Sequence, residues 1–479
     1  PYQVRERDYA YAGSFYFFCV WIGMAVAAIY GLVEKVLNGK GTAPVAALVS
    51  VACLCVPVLM AAQNWDDHDR SNRRTAVEMA SNYLNSVGEN GILVTHGDND
   101  TFPLWYAQEV EDVRPDVRIC NTSLLGTDWH IDQMKWAVNE SAPLPLSVGQ
   151  EQYLYGTNEY VPVYDTRNEV TSIADVMALF RNPKVKAPMT SGRRVDYIAS
   201  RKISIPVDRE NVIRAGILDA KYASQIPDSI IITIPKDKDM ISKPELFMLD
   251  LLSGYKWDRP INLLSMGGDI NIGIKEYLEY EGYSFKLIPI KNKTTTTVAG
   301  FVDTDDLYRK MTETYKWDAV ASGDYFIDYQ NQYTHMGVMS LRGLFVTAAN
   351  AFIKAGENDR AMEMLDKCRD ITRDFPLEGV PLGFSGNDYM VISMVEDYYK
   401  LGAADKAVEL GAAMAQELLV SANFYNKFYT YAKEDFELIG NYIYFLAEVM
   451  EKGGDKALAK ELKDNFMAML GVSPDSVRG

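Results

Sequence analysis

The chain has 479 residues, a net charge of −17 and an apolar fraction of 48%. This length predicts two or three structural units, and the apolar content excludes a disordered chain. The negative charge argues against nucleic acid as a partner, because phosphate binding needs clustered lysine and arginine. The five cysteines show neither a disulfide framework nor a zinc-ligand spacing. The sequence begins at Pro1 without an initiator methionine, so we expect a fragment or a processed product.

Two apolar runs without a charged residue, Phe15–Val33 and Ala43–Ala62, stand near the start of the sequence. At about 1.5 Å per residue, each spans roughly the 30 Å hydrocarbon thickness of a bilayer. We therefore predict an interfacial segment and two transmembrane helices within residues 1–65. The alternative, a buried helical hairpin of a soluble core, is disfavoured because neither run has a polar face. Charges flanking the runs do not settle the orientation.

Residues 66–330 are predicted to form an α/β domain, because short apolar strands alternate with amphipathic helices. This alternation indicates a mostly parallel sheet covered by helices. Residues 145–228, rich in Tyr, Pro and Arg, are expected to add loops and small strands. The predicted strands are Ile92–Thr95, Val117–Asn121, Ser229–Ile234, Ile261–Met266 and Phe285–Ile290, and the predicted helices are Phe102–Val110, Trp129–Val138, Lys243–Ser253 and Ile270–Glu281.

Residues 331–479 lack strand patterns and contain a loosely repeated unit. An apolar-aromatic helix, a turn such as KAGENDRA, KLGAADKA or EKGGDKA, and a second helix recur along this region. The unit resembles tetratricopeptide-type helix pairs, in which a small residue after the turn lets the helices approach closely. Gly356, Gly402 and the pair Gly453 and Gly454 are predicted to form left-handed helix ends.

The segment GDND, residues 97–100, places two aspartates at the end of a predicted buried strand. Asp98 and Asp100 could bind a divalent metal if the chain turns there. The same residues could instead contact a ligand in the crevice beyond the strand ends. The third interpretation, which we favour, is structural, since Asp, Asn and Thr cap helices and Pro103 suits a first helical turn.

A second charged segment, RERDY, lies close to the first apolar run and hence at the level of the lipid headgroups. Arg5 and Arg7 could contact a lipid phosphate through paired hydrogen bonds, while Glu6 and Asp8 orient them or act on a hydroxyl group. The alternative is an ordinary interfacial anchor with salt bridges. No H-x-x-x-H, H-E-x-x-H or G-x-S-x-G pattern is present.

The segments PYQVRERDYAYAGSFY and GILVTHGDNDTFPLWYAQEVEDVRPDVRICNTSLL resemble a bacterial family of polytopic membrane proteins. That family, formerly of unknown function, is related to the eukaryotic transmembrane protein O-mannosyltransferase. The resemblance covers the whole chain. It implies a multi-span glycosyltransferase that moves a sugar from a lipid-phosphate carrier to a protein hydroxyl, with its catalytic acid before Pro1. It also implies that the soluble domains lie outside the cytoplasm, on the periplasmic side of a bacterial inner membrane.

The leading hypothesis is therefore the C-terminal portion of an O-mannosyltransferase-like enzyme, with the helical repeats recognising the acceptor protein. It needs no resident metal or cofactor, because the lipid-linked sugar is the donor substrate. A rival hypothesis is a membrane-tethered scaffold that binds protein partners without catalysis. Another is a metal- or nucleotide-dependent enzyme within the α/β domain. The predicted donor-binding residues are Arg5, Glu6, Arg7 and Asp8, and the predicted ligand- or acceptor-binding residues are Asp98, Asn99, Asp100, Thr101 and Trp105.

Overall fold

The computed structural model describes residues 11–40, 42–69, 71, 74–165, 168–189, 192–265, 270–292, 300–321, 339–382 and 386–470. The chain divides into two compact units, Pro1–Asn72 and Arg73–Gly479. The predicted boundary between the α/β and helical-repeat regions, near residue 330, lies outside the described residues and stays a prediction.

The first unit contains α1 (Ala12–Val36) and α2 (Thr42–His68). Both helices are long and apolar enough to cross a bilayer. Their described apolar side chains are almost all exposed, and α1 has no buried residue. A helical hairpin buried in a soluble core would hide these side chains, so the exposed apolar surface agrees with the predicted membrane helices.

The second unit opens with α3 (Thr75–Ser86) and continues through a mixed α/β region. Its strands are β1 (Ile92–Thr95), β2 (Arg118–Asn121), β3 (Tyr160–Pro162), β4 (Val170–Ser172), β5 (Ala187–Pro188), β6 (Arg194–Val195), β7 (Lys202–Pro206), β8 (Ser229–Thr233), β9 (Met240–Ser242), β10 (Ile261–Leu263), β11 (Leu278–Tyr280) and β12 (Phe285–Leu287). Its helices are α4 (Asp98–Glu109), α5 (Asp128–Met134), α6 (Ile173–Arg181), α7 (Arg209–Arg214), α8 (Lys243–Gly254), α9 (Thr304–Arg309) and α10 (Asp318–Ala321).

The largest sheet has the strand order β11-β12-β10-β1-β2. Strand β1 pairs in parallel with β10 and β2, whereas β12 pairs antiparallel with β10 and β11. The sheet is therefore mixed, with a parallel centre and an antiparallel side, where a mostly parallel sheet was expected. A tight turn at Gly282 (φ +92°) joins β11 to β12, and strands joined by such a short turn pair antiparallel. Strand β8 belongs to a separate sheet of order β4-β7-β8.

The helix predicted over Ile270–Glu281 is wrong. A short 3₁₀ turn, Ile274–Tyr277, leads directly into strand β11. Gly273 has φ +93°, and a Cβ atom there would lie 2.5 Å from the backbone of Thr233. A left-handed residue in such close contact with another segment interrupts a helix, and no local pattern in the sequence reveals that contact.

Helices cover both faces of the central strands, because successive strand residues point to opposite sides. Leu93 of β1 and Ile119 of β2 belong to one core with α3 and α4. Ile92 and Val94 belong to a second core with α5 and α8. This arrangement accounts for the fully buried β1, since both of its faces are covered.

The C-terminal region is entirely helical in its described part. Its helices are α11 (Met339–Ala355), α12 (Asn358–Ile371), α13 (Gly386–Lys400), α14 (Ala404–Lys427), α15 (Lys433–Gly453) and α16 (Lys456–Met469). Gly356, Gly402 and Gly454 have positive φ, which confirms the predicted left-handed helix ends. The core that contains α3 and α4 continues through these helices, so the two regions share apolar packing.

Candidate functional site

The parallel strands β10, β1 and β2 end at the same edge of the sheet. In open α/β sheets, ligands bind beyond the carboxyl ends of the strands, where successive connections leave in opposite directions. Here β1 connects through α4 to β2, and the chain then returns to form β10 on the other side of β1. The edge beyond β1 is consequently the position where the fold favours a binding site. The segment GDND lies there.

The carboxylate of Asp100 is hydrogen-bonded to the local backbone. It accepts hydrogen bonds from the N–H groups of His96 (2.9 Å) and Gly97 (2.8 Å), one on each oxygen. The side chain is 1% exposed. A carboxylate that satisfies backbone donors ahead of a helix stabilises that helix end, so Asp100 has a structural role.

Thr101 also faces inward. Its hydroxyl lies 2.6 Å from the Thr95 hydroxyl and accepts a hydrogen bond of 2.8 Å from the side-chain amide of Asn121. Asn121 in turn accepts from the backbone N–H of Leu124 at 3.0 Å. This buried network links the ends of β1 and β2 to the first turn of α4, which holds the edge in one geometry.

Asp98 and Asn99 are exposed at the start of α4, where the positive end of the helix dipole lies. Trp105 is partly buried against the core and stacks on the exposed ring of Phe102, with ring centroids 5.5 Å apart. The predicted binding residues thus divide into inward-facing and solvent-facing groups. Of the GDND residues, only Asp98 and Asn99 are exposed to solvent and so placed to meet a ligand, because the N–H and carbonyl groups of Gly97 are hydrogen-bonded within the motif.

One pair at this edge was not singled out from the sequence. His96 follows β1, Ser265 follows β10, and their Nε2 and Oγ atoms lie 2.9 Å apart. The pair links the carboxyl ends of β1 and β10, the two neighbouring strands whose outgoing connections leave in opposite directions. Its partners are distant in sequence, and only the parallel pairing of β1 with β10 brings them together.

Among the described residues, no group of three or more His, Cys, Asp or Glu side chains is arranged to hold a metal ion. At the GDND edge the reason is visible, since Asp100 is already hydrogen-bonded and turned inward. The predicted donor-binding residues Arg5, Glu6, Arg7 and Asp8 lie outside the described residues, so their role stays a prediction.

The sequence interpretation also missed a group of buried charges on the antiparallel side of the sheet. Glu279, Glu281 and Lys286 come from the hairpin of β11 and β12, and Lys310 follows α9. Burial and the nearby Glu281 raise the pKa of Glu279 to about 7, although Lys286 opposes the shift. The signal in the sequence was LEYEGYSFKL, in which charged residues flank a glycine turn within an apolar context.

The structure therefore defines a class of protein: two apolar helices, a mixed α/β region whose parallel strands end at one edge, and a helical C-terminal region. Residues 76–306 match the sequence model of a family described as TMEM260-associated domain 2. The matched segment contains both the GDND edge and the buried charges of the hairpin. No curated protein and no solved structure matches the chain.

Proposed function

We propose that the chain is the C-terminal portion of a membrane protein glycosyltransferase that resembles O-mannosyltransferases. It acts with a lipid-phosphate-linked sugar as donor and protein hydroxyl groups as acceptors, outside the cytoplasm. The single observation that carries this proposal is the match of residues 76–306 to TMEM260-associated domain 2, a family linked to an O-mannosyltransferase-like membrane protein. The two apolar helices support a membrane setting. In a bacterial cell, the soluble region faces the periplasm.

In this proposal the soluble region recognises the acceptor protein. A groove of about 650 Å³ on the helical repeats supports this role. Charged side chains from α12 and α14 line it, among them Arg369, Lys406 and Glu409. Grooves of this size with mixed charges suit an extended polypeptide, because backbone and side-chain polar groups of either sign find partners there.

Glycoproteomics of a strain that lacks the gene tests the proposal. We expect hexose-modified Ser and Thr peptides from extracytoplasmic proteins to disappear in the deletion strain and to return when the gene is restored. Transfer from a purified lipid-linked sugar to the identified peptide, in membranes that contain the protein, would then assign the reaction. An unchanged set of glycopeptides after deletion would contradict the proposal.

Arg5 and Arg7 are proposed to contact the donor phosphate. Arg5→Ala in the intact protein should lower sugar transfer at least tenfold while leaving the amount of protein in the membrane unchanged. Arg74→Ala is a matched control, because Arg74 is exposed and pairs only at the surface with Glu111 at 3.4 Å. Equal transfer by the two variants would remove the donor role from Arg5.

The same groove favours a second candidate, a membrane-tethered scaffold without catalysis. Under that alternative, deletion leaves protein glycosylation unchanged, while a periplasmic partner crosslinks to residues of the groove. A photoreactive amino acid at Glu409, which is exposed on α14 and pairs with Arg369 at 3.0 Å, would report such a partner. The glycoproteomic experiment and the crosslink together separate the two candidates.

A further inference from the structure

Helix α4 is apolar on two opposite sides. Its inner side packs Leu104 and Ala107 into the core. Its outer side carries Phe102 and Tyr106, and Val110 continues the same stripe because its N–H group still bonds to the carbonyl of Tyr106. These three outer side chains are 52%, 47% and 64% exposed. The solvent side of a surface helix is normally polar, so an apolar outer stripe indicates a side that lies against a further surface.

A second segment extends this stripe. Trp136 and Val138, which follow α5, are 60% and 40% exposed. The side-chain amide of Asn139 donates a hydrogen bond of 2.9 Å to Glu109, the last residue of α4. This contact holds the second segment beside the end of the stripe. We call the exposed side chains of the two segments the apolar face; they are Phe102, Tyr106, Val110, Trp136 and Val138.

The apolar face lies close to the point at which the chain leaves α2. The hydroxyl group of Tyr106 donates to one oxygen of Glu111 at 3.4 Å, and Arg74 pairs with the other oxygen at 3.4 Å. Arg74 directly precedes α3, and only residues 69–73 stand between it and His68, the last residue of α2. An extended chain covers at most about 22 Å over this distance. Covalent length alone therefore keeps Tyr106 near the end of α2.

In the membrane setting proposed above, the end of α2 reaches the outer surface of the bilayer. The apolar run ends at Ala62, and the helix continues to His68, which adds about 9 Å along its axis. The headgroup layer on each side of a bilayer is roughly 5–8 Å thick. A bilayer surface that a short covalent tether keeps within reach is present at a high effective concentration, so even a small apolar face can bind it.

The composition of the apolar face suits the layer where hydrocarbon meets headgroups. Tyrosine and tryptophan are enriched in that layer, because each combines an apolar ring with a polar O–H or N–H group. Tyr106 and Trp136 are of this kind. The charges beside the face include two acids, Glu109 and Glu111. Binding would therefore depend on burial of apolar surface rather than on attraction to anionic lipid.

We infer that the apolar face is a membrane-docking surface, and that it rests on the headgroup layer of the bilayer that holds α1 and α2. The inference rests on the membrane setting of the proposed function, but not on sugar transfer. Asp98 lies one turn before Phe102 on the same stripe and is exposed. Docking consequently brings the start of α4, and with it the carboxyl edge of the parallel strands, to the level at which a lipid-linked substrate presents its headgroup.

Quenching by nitroxide lipids tests the inference on the full chain in phosphatidylcholine nanodiscs. An environment-sensitive fluorescent amino acid is placed at position 106 or 110 in separate variants. We expect lipids that carry a nitroxide on the headgroup to reduce its fluorescence at least twofold. The same amino acid at Tyr431, an aromatic residue that is 92% exposed in the helical region, is the matched control and should lose less than a fifth. Equal quenching at positions 110 and 431 would overturn the inference.

A label at position 22, in the middle of α1, separates failure of the inference from failure of the proposed function. Lipids with a nitroxide on the acyl chain should quench it strongly if α1 lies in the bilayer. Quenching at position 22 without quenching at position 110 overturns the inference alone. A label at position 110 that is blue-shifted but insensitive to the nitroxide shows a face covered by protein and also overturns it. Absence of quenching at position 22 contradicts the membrane setting and both proposals.

A double variant completes the test. Phe102→Ser with Val110→Ser removes apolar side chains from the face and leaves the inner side of α4 unchanged. A label at position 136 should then lose at least half of its quenching by the headgroup nitroxide. Tyr389→Ser with Val420→Ser, at two comparably exposed positions of the helical region, is the control and should leave that quenching unchanged. Unchanged quenching in the first variant would overturn the inference. If that variant fails to fold, the labels at positions 106 and 110 decide.

Discussion

Two buried carboxylates of the α/β region have contrasting surroundings. Asp100, at the carboxyl edge of the parallel strands, accepts hydrogen bonds from two backbone N–H groups a few residues away. Glu279, on the antiparallel side of the sheet, is buried 3.0 Å from the ammonium group of Lys286, which also donates a hydrogen bond to Glu281. The backbone satisfies the first carboxylate, whereas burial raises the pKa of the second to about 7, so that it can take up a proton near neutral pH. Burial of an acid alone therefore does not identify a functional site. The hydrogen-bond donors and cations around the carboxylate must be considered as well.

The largest loss of stability is expected when the hydrogen bonds of Asp100 are removed. Asp100→Ala leaves two backbone N–H groups without acceptors at the start of α4 and should lower the free energy of unfolding by about 2–3 kcal/mol. Urea denaturation of the chain in detergent, monitored by tryptophan fluorescence, measures this change. A loss below about 0.5 kcal/mol would show that Asp100 is not needed to hold the helix end.

A smaller loss is expected for Asn121→Ala. This substitution removes the hydrogen bond to Thr101 and the acceptor for the Leu124 N–H group, which should cost about 1–2 kcal/mol. The same denaturation experiment applies. Asn99→Ala, an exposed position of the same motif, is the control and should be nearly neutral. Equal effects from Asn121→Ala and Asn99→Ala would mean that the buried network contributes nothing.

Glu279→Gln, in contrast, should increase the stability of the folded chain at high pH. Because the pKa of Glu279 in the folded chain is above its unfolded value, its contribution to stability is present at pH 4.5 and below and is lost as the pH rises through 7. The glutamine variant removes this dependence. We expect the stability of the variant relative to the wild type to rise between pH 5 and pH 8, by about 2 kcal/mol.

Thermal unfolding of both proteins across this pH range checks the expectation. A variant that is less stable than the wild type at pH 8 would mean that the ionised carboxylate is well compensated by Lys286.

The smallest change is expected for Asp98→Ala. Asp98 is exposed at the start of α4 and interacts there mainly with the helix dipole, so the free energy of unfolding should change by no more than about 0.5 kcal/mol. If Asp98 contributes to acceptor binding, sugar transfer should nevertheless fall. Intact stability combined with reduced transfer would distinguish a binding residue from the structural Asp100.

Much of the fold was predictable because it depends on local patterns. The apolar runs, the short strands Ile92–Thr95 and Val117–Asn121, the helix Lys243–Ser253 and the glycine-ended helix pairs agree with the structure within a few residues. Each is encoded by residues that are close together in sequence. The structural interpretation of GDND, which had been favoured over a metal site, agrees with the inward orientation of Asp100 and Thr101.

Errors arose where distant segments decide the conformation. Residues 278–280 were assigned to a helix, yet they form an edge strand because Phe285–Leu287 pairs with them and Gly273 packs against Thr233. With that helix assignment, Glu279 and Lys286 could not be recognised as cross-strand partners. The contact between His96 and Ser265 could likewise not be predicted from the sequence, since it depends on the pairing of β1 with β10.

By itself, the sequence determined the apolar helices, the alternation of strands and helices, and the helical repeats, and it favoured the capping role that the structure gives to Asp100. Hydrophobic periodicity and backbone preferences act over a few residues, which makes these features local. The tertiary structure alone decided the mixed pairing of the sheet and the separation of inward- from solvent-facing residues around Asp100. It also decided the surroundings of Glu279, because the number of cations that reach a buried acid depends on which distant strands and helices meet around it.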